Sequence, residues 1–496
     1  MLRIRVIKTA SGASAVQVVY YRNRKRVIFK HIGSANSIQE LESLKLIARD
    51  VINNYNPEIP LFEEVKFDKL LYLEKTEFLG VHSTFLYEVL SGLISQIGLD
   101  RVNKQILLDL VAIRIVEPAS KLRSIELLDT YFGIKHRRQS YYQSAGHWLF
   151  LKEEIESIVV EFAKHNYAFD FDLLFYDVTT LYFETFEEDE LRRNGFSKDN
   201  KSQQPQVLVG LMVTKDGFPI AYSIFSGNTF EGHTIIPVVN AFVKKYTVKE
   251  FTVVADAAMI STTNIQELLA NNINYIVGAR LGNLSINLIE QINHSITRDD
   301  GKSIRIKTDN GYLICAYSSV RYRKDKYEME KQIEKALAII QNPSKGKRVK
   351  FVKTSGENPL LNQALIKKSE KLLGIKGYYT NLEEGVADNQ TIINRYHELY
   401  RVEQAFRISK HDLQTRPIFH FKEEPIQLHI LICFMALVVS KHIELTTGDS
   451  IKKFVTECKK ITDARMLNKI TNKETRIRAK YSDKILKYIK ILNLPH

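Results

Sequence analysis

Three acidic residues stand in surroundings where a carboxylate needs a reason. Asp177 lies within Leu173-Leu174-Phe175-Tyr176-Asp177-Val178-Thr179-Thr180-Leu181-Tyr182-Phe183, a run of aromatic and β-branched residues that reads as a strand. Asp256 lies within Phe251-Thr252-Val253-Val254-Ala255-Asp256-Ala257-Ala258-Met259, which is short and nearly continuous in apolar residues, as strands covered on both faces are. A carboxylate in such a strand is costly unless it is paired or holds a cation. Each aspartate also suits a strand end that merely caps a turn. Glu403 lies in Tyr396-His397-Glu398-Leu399-Tyr400-Arg401-Val402-Glu403-Gln404-Ala405-Phe406-Arg407-Ile408-Ser409-Lys410. On one helix, Tyr396, Glu403, Arg407 and Lys410 fall within about 60° of one another, beside an apolar stripe of Val402, Phe406 and Leu413. An ordinary solvated face with i,i+4 charges has the same spacing. Three carboxylates meeting at one point repel, and a divalent cation relieves that. Mg2+ and Mn2+ take oxygen ligands and keep open positions for water and phosphate.

The elements around these residues supply a frame. Strands are expected at 173–183, 206–214, 219–226, 251–257 and 274–280, with Lys215-Asp216-Gly217 closing a hairpin. Crossover helices near 233–245 and 262–271 make the later strands parallel neighbours. Three antiparallel strands followed by parallel ones with helices is the order of an RNase H-like α/β core. There, Asp177 occupies the first strand and Asp256 the fourth, side by side at the centre. The segment 283–375 loses this rhythm and reads as an insertion, with a β stretch at 312–317, a charged helical run at 324–341 and a loop at 342–346. A helix at 390–411 then returns Glu403 to the core. Arg280, at the end of the strand Tyr275-Ile276-Val277-Gly278, suits a contact to a nucleic-acid backbone as well as a plain exposed strand end. The expected divisions are a β-rich segment (1–60), a helical segment suited to binding DNA (61–165), the core in two parts (166–282 and 376–445) around the insertion (283–375), and a basic helical tail (446–496).

Bulk properties narrow the partners. The formal charge of +14 favours a polyanion, above all nucleic acid. Residues 451–496 hold 13 Lys or Arg against 4 Asp or Glu, so the tail is a candidate phosphate contact. Cys315, Cys433 and Cys458 are far apart and form no CxxC, which argues against a zinc site or disulfide framework and for a reducing compartment. Arg3, Arg5 and Lys8 precede no apolar stretch of the kind a signal peptide carries. The most apolar run, 428–439, is too short to cross a bilayer and reads as a core helix. No membrane partner is expected.

Taken together, these residues resemble the bacterial insertion-sequence DDE transposases of the IS4-like group, marked by a Y-x2-R-x3-E-x6-K signature. Tyr396, Glu403 and Lys410 match that spacing, as do the surroundings of Asp177 and Asp256. Phe225-Ser226-Gly227-Asn228-Thr229-Phe230-Glu231-Gly232-His233-Thr234 resembles the group's segment between its two aspartates. The signature arginine is missing: Leu399 stands in its place, with Arg407 one turn beyond Glu403. The resemblance implies cleavage of element ends and their joining to target DNA, with Asp177, Asp256 and Glu403 holding two Mg2+ (or Mn2+) ions. It assigns DNA contacts to Tyr396, Arg407 and Lys410. It also implies duplex DNA with terminal inverted repeats as partner, a homodimer on that DNA, and a cytoplasmic, nucleoid-associated location. A nuclease of the same fold without strand transfer and a non-catalytic DNA-binding regulator remain the alternatives.

Overall fold

The computed structural model describes residues 2–22, 25–53, 75–196, 203–248, 251–259, 261–341, 349–355, 358–469 and 472–494. The chain divides into two compact units, residues 1–80 with 464–477 and residues 81–463 with 478–496. The expected division at 60/61 and the loop 342–346 lie outside the described residues.

The first unit opens with an antiparallel meander of β1 (Arg3–Lys8), β2 (Ser14–Arg22) and β3 (Lys25–Ala35). Helix α1 (Ile38–Asn53) lays Leu44 and Ala48 on Val16 and Val18 of β2. A second small sheet begins with β4 (Thr76–His82).

The second unit carries helices α2 (Thr84–Ile97), α3 (Gln105–Val116), α4 (Lys121–Phe132), α5 (Arg138–Ala145) and α6 (Lys152–Tyr167) before its sheet. These helices share one continuous hydrophobic core with the sheet. The division expected near 165 is therefore corrected: α3 is buried along nearly its whole length and needs the rest of the unit to cover it.

The sheet begins with β5 (Leu173–Tyr182), β6 (Gln206–Thr214) and β7 (Pro219–Ser226), all antiparallel. Gly217, at φ +80°, closes the β6–β7 hairpin as its sequence demands. Helix α7 (Ile235–Tyr246) leads to β8 (Thr252–Ala255), and α8 (Thr262–Ala270) leads to β9 (Asn274–Ala279). β8 lies parallel to β5 on one side and to β9 on the other. All five expected strands are present within a residue or two.

The stretch 283–375, expected as an insertion, adds strands to the main sheet. After α9 (Ile286–Ser295), strands β10 (Ser303–Thr308) and β11 (Gly311–Tyr317) join the main sheet. Helix α10 (Ser319–Gln341), the hairpin β12 (Val352–Ser355) with β13 (Asn358–Leu361), and α11 (Gln363–Lys371) follow. Strand β14 (Ile375–Thr380) then pairs with β11 and β9, giving the order β10-β11-β14-β9-β8-β5-β6-β7. The fold is thus mixed α/β around one large mixed sheet.

The expected helix 390–411 is three pieces. α12 (Asn389–His397) ends in a tight turn, where the amides of Leu399, Arg401 and Val402 each reach back three residues. α13 (Tyr400–Arg407) follows and runs into a π turn at Ile408–Asp412. Helix α14 (Glu423–Thr447) is apolar on all sides and buried from Ile426 to Ile443, save Gln427. It is long enough to cross a membrane, yet 94% of its most apolar stretch is buried inside the protein, so it is a core helix. The tail is not purely helical: between α15 (Ile451–Lys459) and α16 (Asp483–Ile491), strands β15 (Asp463–Asn468) and β16 (Lys473–Arg478) complete the small sheet β16-β15-β4.

Candidate active site

Register brings two of the acids together. On the parallel pair β5/β8, Tyr176 faces Ala255, so the next step along both chains places Asp177 beside Asp256. Asp177 is half-buried in mid-strand, opposite Leu211 of β6. Asp256 lies just past the end of β8 and is exposed. Its Oδ1 accepts the Ala257 amide at 2.6 Å, and its carbonyl accepts the Met259 amide at 3.0 Å. Asp256 therefore does cap a turn, and the cap fixes where its carboxylate points.

Glu403 arrives from the other side. Val402, Ala405 and Phe406 bury one face of α13, and Glu403 stays exposed at the edge of a cavity of about 730 Å³. Asp256, Glu403, Tyr396, Lys376, Arg321 and Leu399 all line this cavity. Asp177 is not among its lining residues, although α13 packs across β5. The donor set of carboxylate oxygens suits a hard divalent cation. Among the described residues, however, no three His, Cys, Asp or Glu side chains stand close enough to hold a metal ion. The acids share a neighbourhood and do not form a finished cage.

Tyr396 holds this site together from beneath. It is 8% exposed, and its hydroxyl donates to Asp256 Oδ1 at 3.3 Å. The Lys376 ammonium lies 4.6 Å from the centre of its ring, and the Tyr378 ring meets it edge-on at 4.9 Å. Gly278 on β9 permits the approach, since a β-carbon there would lie 2.5 Å from the Tyr396 hydroxyl oxygen. Burial pushes the Tyr396 hydroxyl well above the usual phenol range, and the charge and hydrogen bond of Asp256 push it further. It remains a donor at neutral pH. The Tyr396 ring packs between Lys376 and Tyr378 while its hydroxyl meets Asp256.

Lys376, on β14, escaped the sequence reading. Burial pulls its ammonium below the usual range, and Arg321 adds to that, while Asp256 and Glu403 oppose it. Only its place on a strand that joins the sheet from a distant part of the chain brings it here, and no spacing signal announces it.

The other expected residues scatter. Arg407 is exposed one turn beyond Glu403. Lys410 is half-buried in the π turn, so the common face drawn on an unbroken helix does not exist. Leu399 is buried in the turn before α13, where it fills the cavity wall with apolar surface. Arg280 is exposed, and although its neighbours Ala279 and Leu281 line the cavity, it does not. The segment 225–234 turns at Glu231–His233 into α7. Asn264 ties it there, donating to the Gly232 carbonyl at 2.6 Å and to the Met259 carbonyl at 2.8 Å. The charges of both Asp177 and Glu231 reach the buried Tyr176 hydroxyl.

No curated protein sequence matches the chain. Among solved structures, a piggyBac transposase synaptic complex with hairpin DNA is similar at 12% identity and a TM-score of 0.37. The alignment covers 76% of this chain and 69% of that one, a likeness too loose to define a fold. The family model of the transposase DDE domain matches residues 169–439, which span β5 to α14 and all three acids. With more than half of its length so matched, the chain belongs to the transposase DDE domain family.

Proposed function

We propose that this protein is a DNA transposase of the IS4-like group with an RNase H-like core, cleaving element ends and joining them to target DNA. The observation that carries the reading is the β5/β8 register, which sets Asp177 beside Asp256 while Glu403 shares the cavity of Asp256. The strand order β7-β6-β5-β8-β9 supports the core assignment.

Asp177, Asp256 and Glu403 would hold two Mg2+ or Mn2+ ions, which supply activation of the attacking water or 3′-hydroxyl and stabilisation of the leaving oxygen. Tyr396 positions Asp256 through its hydrogen bond. Lys376 places positive charge beside both cavity acids and limits their mutual repulsion. Lys410, Arg407 and Arg280 contact DNA phosphates around the scissile one, and helices α2 to α6 and the basic tail extend those contacts. Duplex DNA bearing terminal inverted repeats and a target duplex are the partners. Joining two ends calls for a homodimer on DNA, in the cytoplasm at the nucleoid.

The test uses the full-length chain and DNA from the ends of its element. Asp177→Asn, Asp256→Asn and Glu403→Gln should each abolish Mg2+-dependent cleavage and retain DNA binding. Normal cleavage by any one of them removes that residue from the reaction. A pre-cleaved end that is never joined to a second duplex would indicate a nuclease of the same fold.

A further inference from the structure

A second cavity, of about 630 Å³, lies in the same unit, and its charge is one-sided. Arg114, Lys121 and Arg416 line it, with Glu424 as the one acid among its lining residues. Lys121 and Arg114 are each 4% exposed. Burying an ammonium and a guanidinium in one pocket is costly unless something anionic meets them. Among the described residues, their hydrogen-bond partners are neutral. Arg114 donates to the Ala119 carbonyl at 2.9 Å, and Lys121 Nζ lies 3.3 Å from His429 Nδ1. His429 Nε2 lies 2.9 Å from the Thr415 carbonyl, which can only accept, so Nε2 carries the proton and Nδ1 accepts from Lys121. His420 and His429 are both held neutral at physiological pH, chiefly by burial.

The rim of the cavity differs from its floor. Tyr142 and Phe419, at 61% and 65% exposed, present large rings beside it. Cations below and open aromatic faces above match the two halves of a nucleotide. The wall from Gln414 to His420 is also fixed to the strand that carries Asp177. Phe183 bridges to Ile418, and the Arg416 guanidinium lies 5.6 Å from the centre of the Tyr182 ring. Tyr182 is five residues beyond Asp177 on β5, roughly 17 Å of extended strand.

We propose that this cavity binds a nucleotide, its phosphate at Lys121 and Arg114 and its base against Tyr142 and Phe419. The nucleotide comes either from a DNA strand or from solution. The first source rests on the transposase reading, whereas the nucleotide chemistry does not.

Calorimetry on the full-length chain tests this with thymidine 5′-monophosphate, thymidine, inorganic phosphate and a 5′-phosphorylated single-stranded hexamer. The monophosphate should bind, and more tightly than either thymidine or phosphate. A hexamer tighter than the monophosphate identifies a strand as the source, and the reverse identifies the free nucleotide. Lys121→Met should weaken the monophosphate at least about tenfold through loss of a charged hydrogen bond. Phe419→Ala, at an exposed position that leaves the core intact, should weaken it about fivefold or more through loss of stacking. Wild-type affinity in both variants overturns the proposal, as does binding of phosphate no weaker than the monophosphate. Asp177→Asn should leave this affinity unchanged, so a failure of the cleavage reading and a failure of this one appear in different measurements.

Discussion

The clamp on Asp256 predicts a specific pair of substitutions. In Gly278→Ala, the added β-carbon would lie 2.5 Å from the Tyr396 hydroxyl oxygen, 3.1 Å from its ring carbon Cζ and 3.2 Å from Ala257 Cβ. The first distance is far inside van der Waals contact, so Tyr396 must move away from Asp256. Overpacking of this kind costs about 1–3 kcal/mol, and the lost hydrogen bond adds about 1 kcal/mol. The unfolding midpoint should fall by a few degrees. Cleavage should fall about tenfold or more, because Asp256 loses the partner that orients it. Tyr396→Phe alone removes only the hydrogen bond and should cost about fivefold in single-turnover cleavage. In the double variant the 2.5 Å contact is gone and only the two contacts beyond 3 Å remain. Gly278→Ala should then cost less when combined with Tyr396→Phe than in the wild type, with a coupling of about 1 kcal/mol. Thermal unfolding and single-turnover cleavage of end DNA measure both effects. Strict additivity, or a Gly278→Ala protein as stable and active as wild type, would refute the idea that Gly278 makes room for the tyrosine that positions Asp256.

Two further predictions rest on buried cations. Lys376→Met should reduce Mg2+-dependent cleavage roughly tenfold or more by leaving Asp256 and Glu403 less compensated, with stability held or raised because a partly buried charge is gone; a wild-type rate would remove Lys376 from the site. Burial and the charge of Arg114 pull Lys121 down to about 7, so between pH 7 and 9 the unfolded chain binds the extra proton. Unfolding free energy should therefore rise with pH across that window, the usual direction for a base whose folded pKa is lowered, and Lys121→Met should flatten the slope in urea titrations at pH 7, 8 and 9.

How far the sequence reached depends on whether a feature is local. The strands that carry Asp177 and lead into Asp256 were legible because their apolar and β-branched runs are continuous, and the β6–β7 turn because Gly217 needs a positive φ. Their adjacency was expected from the RNase H-like strand order, in which the fourth strand pairs with the first and not with the third, where α7 begins. Lys376 was invisible: β14 is placed by pairing with β9 and β11, and nothing near residue 376 encodes those partners. The same blindness hid that β10 and β11, within the expected insertion 283–375, extend the main sheet.

Glu403 shows the limit most clearly, because its expected place depends on one unbroken helix. A wheel drawn at a uniform 100° per residue puts Tyr396, Glu403 and Lys410 on one line. The tight turn at Leu399 and the π turn at Ile408–Asp412 each change the angle per residue, one overwinding and the other underwinding the chain. The residues therefore separate into three roles. Tyr396 lies under Asp256, Glu403 lines the cavity on an eight-residue helix, and Lys410 sits beyond it in the π turn. The interval from Tyr396 to Glu403 joins two residues that line one cavity, whereas the interval from Glu403 to Lys410 does not. Both mislead on geometry, because a short helix between two irregular turns has its orientation set by the packing of Val402, Ala405 and Phe406 rather than by continuity with its neighbours.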